Sequence, residues 1–312
     1  MKLKILLISS VLSFPFWWGV NVLEKNLEDF LFWQKMAENP QILTAQLTAE
    51  SILESLIPIR KKDIPDFELG AKSGISVLVN SQGSEKILFE KNSQRILPIA
   101  SLTKLMTADI VLKNYDLSQE IKISEKAVNQ EEKLGKLETG KIFSVKYLLY
   151  PLLMESSNDA AYALAEVIGL RTFIDSMNLE AKNLLLDNTH FLNPTGLDSE
   201  NSNDSINYST AKDLVKLTGY LLKEQPLIWE ILSTPKFDLY GPELININKL
   251  LEEIPGIVGG KTGYTEKALG CFLLVTKAPN SNDYLINVIL GSEDRFGEMK
   301  KLIDWLNQAY RW

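Results

Sequence analysis

The chain is short of the side chains that most often do chemistry in pairs: it has one cysteine, Cys271, and one histidine, His190, among 312 residues. A single cysteine excludes an internal disulfide and leaves the redox compartment unmarked. One cysteine and one histidine are too few for a His/Cys zinc site, and no metal or cofactor is expected. A serine enzyme of the histidine-triad kind would have to use His190. Positive charge is also in deficit: 33 Lys and Arg against 40 Asp and Glu give a formal net charge of −7, which argues against a nucleic-acid partner. No internal repeat or low-complexity tract is present. With 45% hydrophobic residues, the chain can bury one large core or two moderate ones.

What is there begins with Lys2 and Lys4, followed by an uncharged run from Ile5 to Leu23. That run has the length of a bilayer span, the leading lysines predict a cytoplasmic start, and Trp17 and Trp18 suit the far interface. A cleaved signal peptide competes with this reading. No small-x-small cleavage site stands near residue 20, which favours an uncleaved membrane anchor over residues 1–23. Either way the remainder is expected outside the cytoplasm. Residues 24–66 read as a helical spacer, with apolar residues at helical spacing interrupted by Pro40 and closed by Pro58 and Pro65. The compact domain is expected over 67–312.

Within it, Gly74–Val79 alternates as a strand, Asn80–Ser84 forms a turn and Lys86–Phe89 returns. The middle, from about Val111 to Leu232, is mostly helical in pattern, with Leu148–Met154 and Ala160–Ile168 the clearest segments. Cys271–Thr276 and Leu285–Leu290 read as buried strands, and Phe296, Met299, Leu302, Ile303, Leu306 and Tyr310 line one face of a final helix. Strands at both ends with helices between predict an α/β (α+β) fold. One mainly antiparallel sheet, made from the termini, would carry flanking helices and a helical subdomain, with the cleft between sheet and subdomain.

Three motifs carry the chemistry. Pro98 marks a turn, and the apolar run from Leu102 to Leu112 reads as a helix that places Ser101 at its entrance and Lys104 one turn on, on the same face. Free N–H groups at a helix entrance favour a developing oxyanion. A serine hydroxyl needs a base, and a desolvated lysine amine can be one. Alone this spacing is weak, since Ser209…Lys212 and Ser233…Lys236 repeat it. Ser156-Ser157-Asn158 forms a corner between two helices; it offers a hydroxyl for proton relay and an amide for a carbonyl, or equally a helix cap. Gly259-Gly260-Lys261-Thr262-Gly263-Tyr264 occurs once. Its glycines would leave an edge strand bare for a peptide, while Lys261 and Thr262 offer a charge and a hydroxyl to a carboxylate. A phosphate-binding loop is excluded there by the glycine spacing and by the strand-like run that follows.

In this order, Ser-x-x-Lys, Ser-x-Asn and Lys-Thr-Gly resemble the active-site serine enzymes that handle penicillin-like substrates. Ala100–Thr107 (ASLTKLMT), Ser156–Ala161 (SSNDAA), Asn193–Asp198 (NPTGLD), Tyr208–Ala211 (YSTA) and Gly260–Thr265 (GKTGYT) resemble the D-alanyl-D-alanine carboxypeptidases, the low-molecular-mass penicillin-binding proteins. The resemblance implies a β-lactamase/penicillin-binding-protein-like fold. It also implies partners: peptidoglycan peptides ending in D-Ala-D-Ala as substrates and β-lactams as covalent inhibitors. Ser101 would be the nucleophile, Lys104 its base and Ser156 the proton relay. Asn158 would bind the substrate amide, Lys261 and Thr262 the terminal carboxylate, and Gly263 and Tyr264 would line the substrate strand. The backbone N–H groups of Ser101 and Tyr264 would form the oxyanion hole. His190 then has a structural role, outside any triad. Asn207 stands where relatives often carry histidine, a departure not expected to touch the chemistry. The chain contains no Glu-x-x-Leu-Asn string, which such a resemblance would require of a class A β-lactamase. A DD-endopeptidase acting on cross-links and a wall-binding protein without turnover remain as alternatives.

Overall fold

The computed structural model describes residues 58–80, 83–130, 137–198, 206–238 and 243–312. The expected anchor, and the expected spacer as far as residue 57, lie outside them. Contacts define a compact unit from Lys61 to Arg311.

Five strands form the central sheet: β1 (Ser73–Val79), β2 (Glu85–Lys91), β3 (Ile257–Thr265), β4 (Leu269–Lys277) and β5 (Tyr284–Ser292). Their order is β3-β4-β5-β1-β2, with every neighbouring pair antiparallel. The C-terminal strand β5 therefore pairs with the N-terminal β1, and the whole middle of the chain is an insertion between β2 and β3. β4 and β5 are buried along almost their full length, as strands covered on both faces must be. On one face Ile75, Val77, Ile286, Val288 and Leu273 join the core of the helical insertion. On the other, Phe272, Leu274 and Ile289 meet the buried stripe Met299, Leu302 and Leu306 of the last helix. Each such side chain contributes about 1.5–3 kcal/mol by leaving water.

The helices of seven or more described residues are α1 (Thr103–Asn114), α2 (Val145–Met154), α3 (Asn158–Glu166), α4 (Leu170–Asn183), α5 (Ala211–Glu224), α6 (Pro226–Leu232) and α7 (Arg295–Ala309). Their starts are set by local chemistry. Ser144, Ser157, Thr210 and Asp294 each accept a backbone N–H two or three positions into the following helix, satisfying a donor that the helix itself leaves open. Pro226 opens α6 at a position where its missing N–H costs nothing. α1 is buried from Thr103 to Val111 and runs through the centre of the insertion.

Two expectations need correction. Pro98 is not in a turn: Leu97–Pro98 pairs antiparallel with Tyr208–Ser209, a partner too distant in sequence to be read locally. The middle is also less purely helical than its periodicity predicts, because Glu120–Lys122 pairs with Ile142–Ser144 and Lys236–Phe237 with Leu244–Ile245. The final helix ends at Ala309, so Tyr310 lies just past it, where its hydroxyl donates to Leu88 O at 2.6 Å.

Candidate active site

Ser101 sits in a single 3-10 turn, Ala100–Leu102, that leads directly into α1. Ala100, just before it, is held at φ +46°, a left-handed conformation that a residue with a Cβ adopts only when its surroundings impose it. Two glycines supply that constraint. Gly196, at φ +87°, lies so close that a Cβ on it would stand 2.1 Å from Ala100 O and 3.0 Å from Ser101 N. From β3, a Cβ on Gly263 would stand 2.9 Å from Ser101 N. The Ser101 backbone is clamped between the two, and neither position tolerates a side chain.

Lys104, one turn into α1, is fully buried. Its Nζ lies 2.9 Å from Ser101 Oγ, 2.7 Å from Asn158 Oδ1 and 2.6 Å from Thr195 O. Those three neighbours define what the group can do. As an ammonium it donates to all three; as a neutral amine it donates to Asn158 and Thr195 and turns its lone pair to the Ser101 hydroxyl. The second arrangement is that of a general base within reach of its proton.

Ser156 occupies the corner between α2 and α3 at φ +62°. Ser157 N donates to Pro151 O at 2.9 Å, while the Ser157 hydroxyl caps α3 by accepting from Ala160 N at 3.1 Å. The cap and the site thus occupy adjacent residues of one corner. Asn158 opens α3 and turns its amide oxygen to Lys104.

β3 is the end strand of the sheet, so one side of its backbone is outside the ladder. Lys261 on it is buried; its Nζ donates to Ser156 Oγ at 2.7 Å and to Thr262 O at 3.0 Å. Burial holds this amine well below the ordinary lysine range, and the positive charges of Lys104 and Arg295 push in the same direction. Thr262 is buried beside it, whereas Tyr264 is 53% exposed at the rim. All eight residues named from the motifs therefore converge: Ser101, Lys104, Ser156, Asn158, Lys261, Thr262, Gly263 and Tyr264. His190 is elsewhere engaged, its backbone exchanging two hydrogen bonds with Tyr208 and its ring 5.9 Å from the Tyr208 ring.

Three contributors escape a motif reading. Thr195 acts through a backbone carbonyl, which no residue type signals. Arg295, the first residue of α7, reaches Gly263 O with Nη1 at 3.2 Å, and its buried Nε has no hydrogen-bond partner among the described residues. Asp198 accepts from Thr265 Oγ1 at 3.1 Å and from Lys267 N at 3.4 Å, tying the Gly196 loop to the turn after β3. The block Asn193–Asp198 was visible as a string, but not its contacts.

A family model described as D-alanyl-D-alanine carboxypeptidase matches residues 61–294. The chain is 33% identical over 260 residues to the D-alanyl-D-alanine carboxypeptidase DacF of Bacillus subtilis, covering 78% of this chain and 64% of that protein; it spans somewhat less than two thirds of that relative. It is 32% identical over 244 residues to a D-alanyl-D-alanine endopeptidase of Pseudomonas aeruginosa, covering 74% of this chain and 76% of the relative. Among solved structures it is similar to penicillin-binding protein D2 of Listeria monocytogenes in its cefotaxime-bound form, with a TM-score of 0.68, 29% identity and coverage of 78% and 99% of the two chains.

Proposed function

We propose that this chain, which belongs to the D-alanyl-D-alanine carboxypeptidase family, is a serine peptidase that removes the terminal D-alanine from peptidoglycan stem peptides ending in D-Ala-D-Ala. The observation that carries the reading is the fully buried Lys104 amine, 2.9 Å from Ser101 Oγ.

In this reading Ser101 Oγ attacks the carbonyl carbon of the penultimate D-alanine and its proton passes to Lys104 Nζ. The oxyanion forms against the backbone N–H groups of Ser101 and Tyr264, where losing one donor typically costs about 3–4 kcal/mol of barrier. When the C–N bond breaks, the proton held by Lys104 passes through the Ser156 hydroxyl, which Lys261 holds in place, to the leaving D-alanine nitrogen, and Lys104 is neutral again. Water then attacks the ester carbonyl and returns the Ser101 hydroxyl, with the proton again passing through Lys104. The leaving residue's carboxylate sits against Lys261, Thr262 and the charge of Arg295. A β-lactam presents the same carboxylate and carbonyl to the same groups, and would acylate Ser101.

A second reading has a specific observation behind it, the similarity to an endopeptidase. A cross-link in which D-alanine acylates an amine that has a carboxylate beside it presents the same groups, so the same residues serve both reactions. Product analysis separates them: the first reading predicts free D-alanine from a pentapeptide, with cross-linked dimers untouched. Dimer cleavage without D-alanine release would move the assignment to the endopeptidase.

We also propose that Ile5–Leu23 anchors the chain with its catalytic unit on the outer side of the membrane, a placement supported by the uncharged run and the lysines before it. A protease added outside intact spheroplasts should then digest the catalytic unit. Full protection would contradict the placement.

A further inference from the structure

Asn207 stands immediately before the Tyr208–Ala211 block, and nothing in its sequence context gives it a part in the chemistry. In the structure it is 2% exposed and every arm of its amide is used. Its oxygen accepts from Leu192 N at 2.8 Å and Asn193 N at 3.2 Å. Its nitrogen donates to Asn193 O at 2.8 Å and to Thr103 Oγ1 at 3.0 Å. Thr103 lies inside the Ser101…Lys104 motif, on the first turn of α1. One side chain therefore joins the turn around Asn193 to the helix that carries Lys104.

That turn is closed by Asn193, whose Oδ1 accepts from Thr195 N at 3.2 Å, Thr195 Oγ1 at 3.0 Å and Gly196 N at 2.7 Å. Thr107, further along α1, adds a second tie by donating to Pro194 O at 2.7 Å. What the turn delivers is the Thr195 carbonyl, 2.6 Å from Lys104 Nζ. Its importance follows from the geometry of an amine. Neutral Lys104 has two N–H bonds and one lone pair, and the lone pair faces the Ser101 hydroxyl only while both N–H bonds are occupied by Asn158 Oδ1 and Thr195 O. If the carbonyl moves away, one of the N–H bonds loses the acceptor that fixes it and the base loses its aim.

We infer that Asn207 is a positioning residue for Lys104, acting through the Asn193–Thr195 turn to hold the acceptor that orients the catalytic amine. The inference rests on the reading of Lys104 as the base for Ser101. A carbonyl also stabilises an ammonium more than an amine, so displacing it makes Lys104 easier to deprotonate. Lys261 on β3 faces Lys104, and a charge on either disfavours a charge on the other; the substitution leaves Lys261 in place.

The test is the acylation rate by a fluorescent penicillin across pH, in the full chain, for wild type, Asn207→Ala and Thr103→Val. Rates are normalised to the fraction of sites that can be labelled, and thermal melts are recorded alongside. Asn207→Ala is expected to lower the plateau rate roughly 10- to 100-fold, the scale of misplacing a reacting group by about an ångström, and to move the acid limb to lower pH. Thr103→Val, which removes only the link to α1, should shift both in the same direction by less. If Asn207→Ala does not fold, Thr103→Val decides alone: a lowered rate with a shifted limb supports the inference, and an unchanged profile overturns it. A lower melting temperature with a wild-type rate and pH profile would make Asn207 a structural residue only, and overturns it too. A folded wild type that takes no label would defeat the proposed function and this inference with it, whereas a labelled wild type matched by both variants defeats the inference alone.

Discussion

At the scale of single residues, the site holds two buried lysines with different partners, Lys104 on Ser101 and Lys261 on Ser156. The first must be neutral to accept a proton and the second charged to take a carboxylate. For Lys261 the burden is electrostatic: burial lowers its proton affinity, and the charge of Arg295, with that of Lys104 whenever it is protonated, lowers it further. A group lowered in this way loses its charge earlier as pH rises, so the KM for a carboxylate-terminated peptide should climb at a lower pH than an ordinary lysine would give. Arg295→Gln removes one of the opposing charges and is expected to move that alkaline limb to higher pH, besides lowering kcat/KM overall. The position of the limb in a pH series of kcat/KM is the readout, and coincident limbs would contradict the account. The motif side chains could be found as strings because reactive groups need particular residue types at helical or strand spacing. Arg295 could not, because its reach to Gly263 O depends on the strand order: Ser292 pairs with Gly270, beside the Cys271 that pairs with Gly263.

At the scale of elements, α1 must be held firmly for Lys104 to keep its aim. Its other end is fixed by charge. Asp109 is fully buried, accepts from Gln225 Nε2 at 3.0 Å and lies 3.2 Å from Lys113, which in turn meets Glu180 of α4 at 2.6 Å. Burial pushes the Asp109 carboxyl up, and Lys113 opposes that push. Lys113→Met leaves a buried carboxylate without its partner and is expected to cost about 2–4 kcal/mol, below the full figure for a buried pair because the Lys113 side chain is 30% exposed. The sign with pH follows from the raised Asp109: its proton is bound more tightly in the folded variant than in the unfolded chain. The loss should thus be greatest where Asp109 is ionised in both proteins, and shrink as pH falls through the variant's further-raised carboxyl toward the smaller rise of the wild type. Urea unfolding of wild type and variant at several pH values checks this; a pH-independent difference would contradict it. Elements were legible where one periodicity prevailed, as in the final helix with its stripe Met299, Leu302, Ile303 and Leu306. Pro98 reads as a turn in sequence because its strand partner is Tyr208, over a hundred positions away, and nothing in a serine announces the left-handed corner at Ser156.

At the scale of the molecule, the sheet brings the two ends of the compact unit together, with β5 against β1, and uses the long insertion to carry α1. Three distant parts of the chain meet only because of that topology: the turn before α1, the α2–α3 corner and the end strand β3. The antiparallel sheet with a helical insertion could be read from strands at both ends of the domain and helices between. The order β3-β4-β5-β1-β2, and the Asn193–Asp198 loop beneath the nucleophile, could not, since both depend on contacts remote in sequence. We propose that this convergence makes Ser101 a nucleophile activated by Lys104. Peptide mapping of a β-lactam adduct on the intact chain tests it most directly. We predict one adduct per chain, on the peptide containing Ser101, and none in a folded Ser101→Ala variant. A folded wild type that forms no adduct, or one that carries it on a peptide without Ser101, would contradict the account.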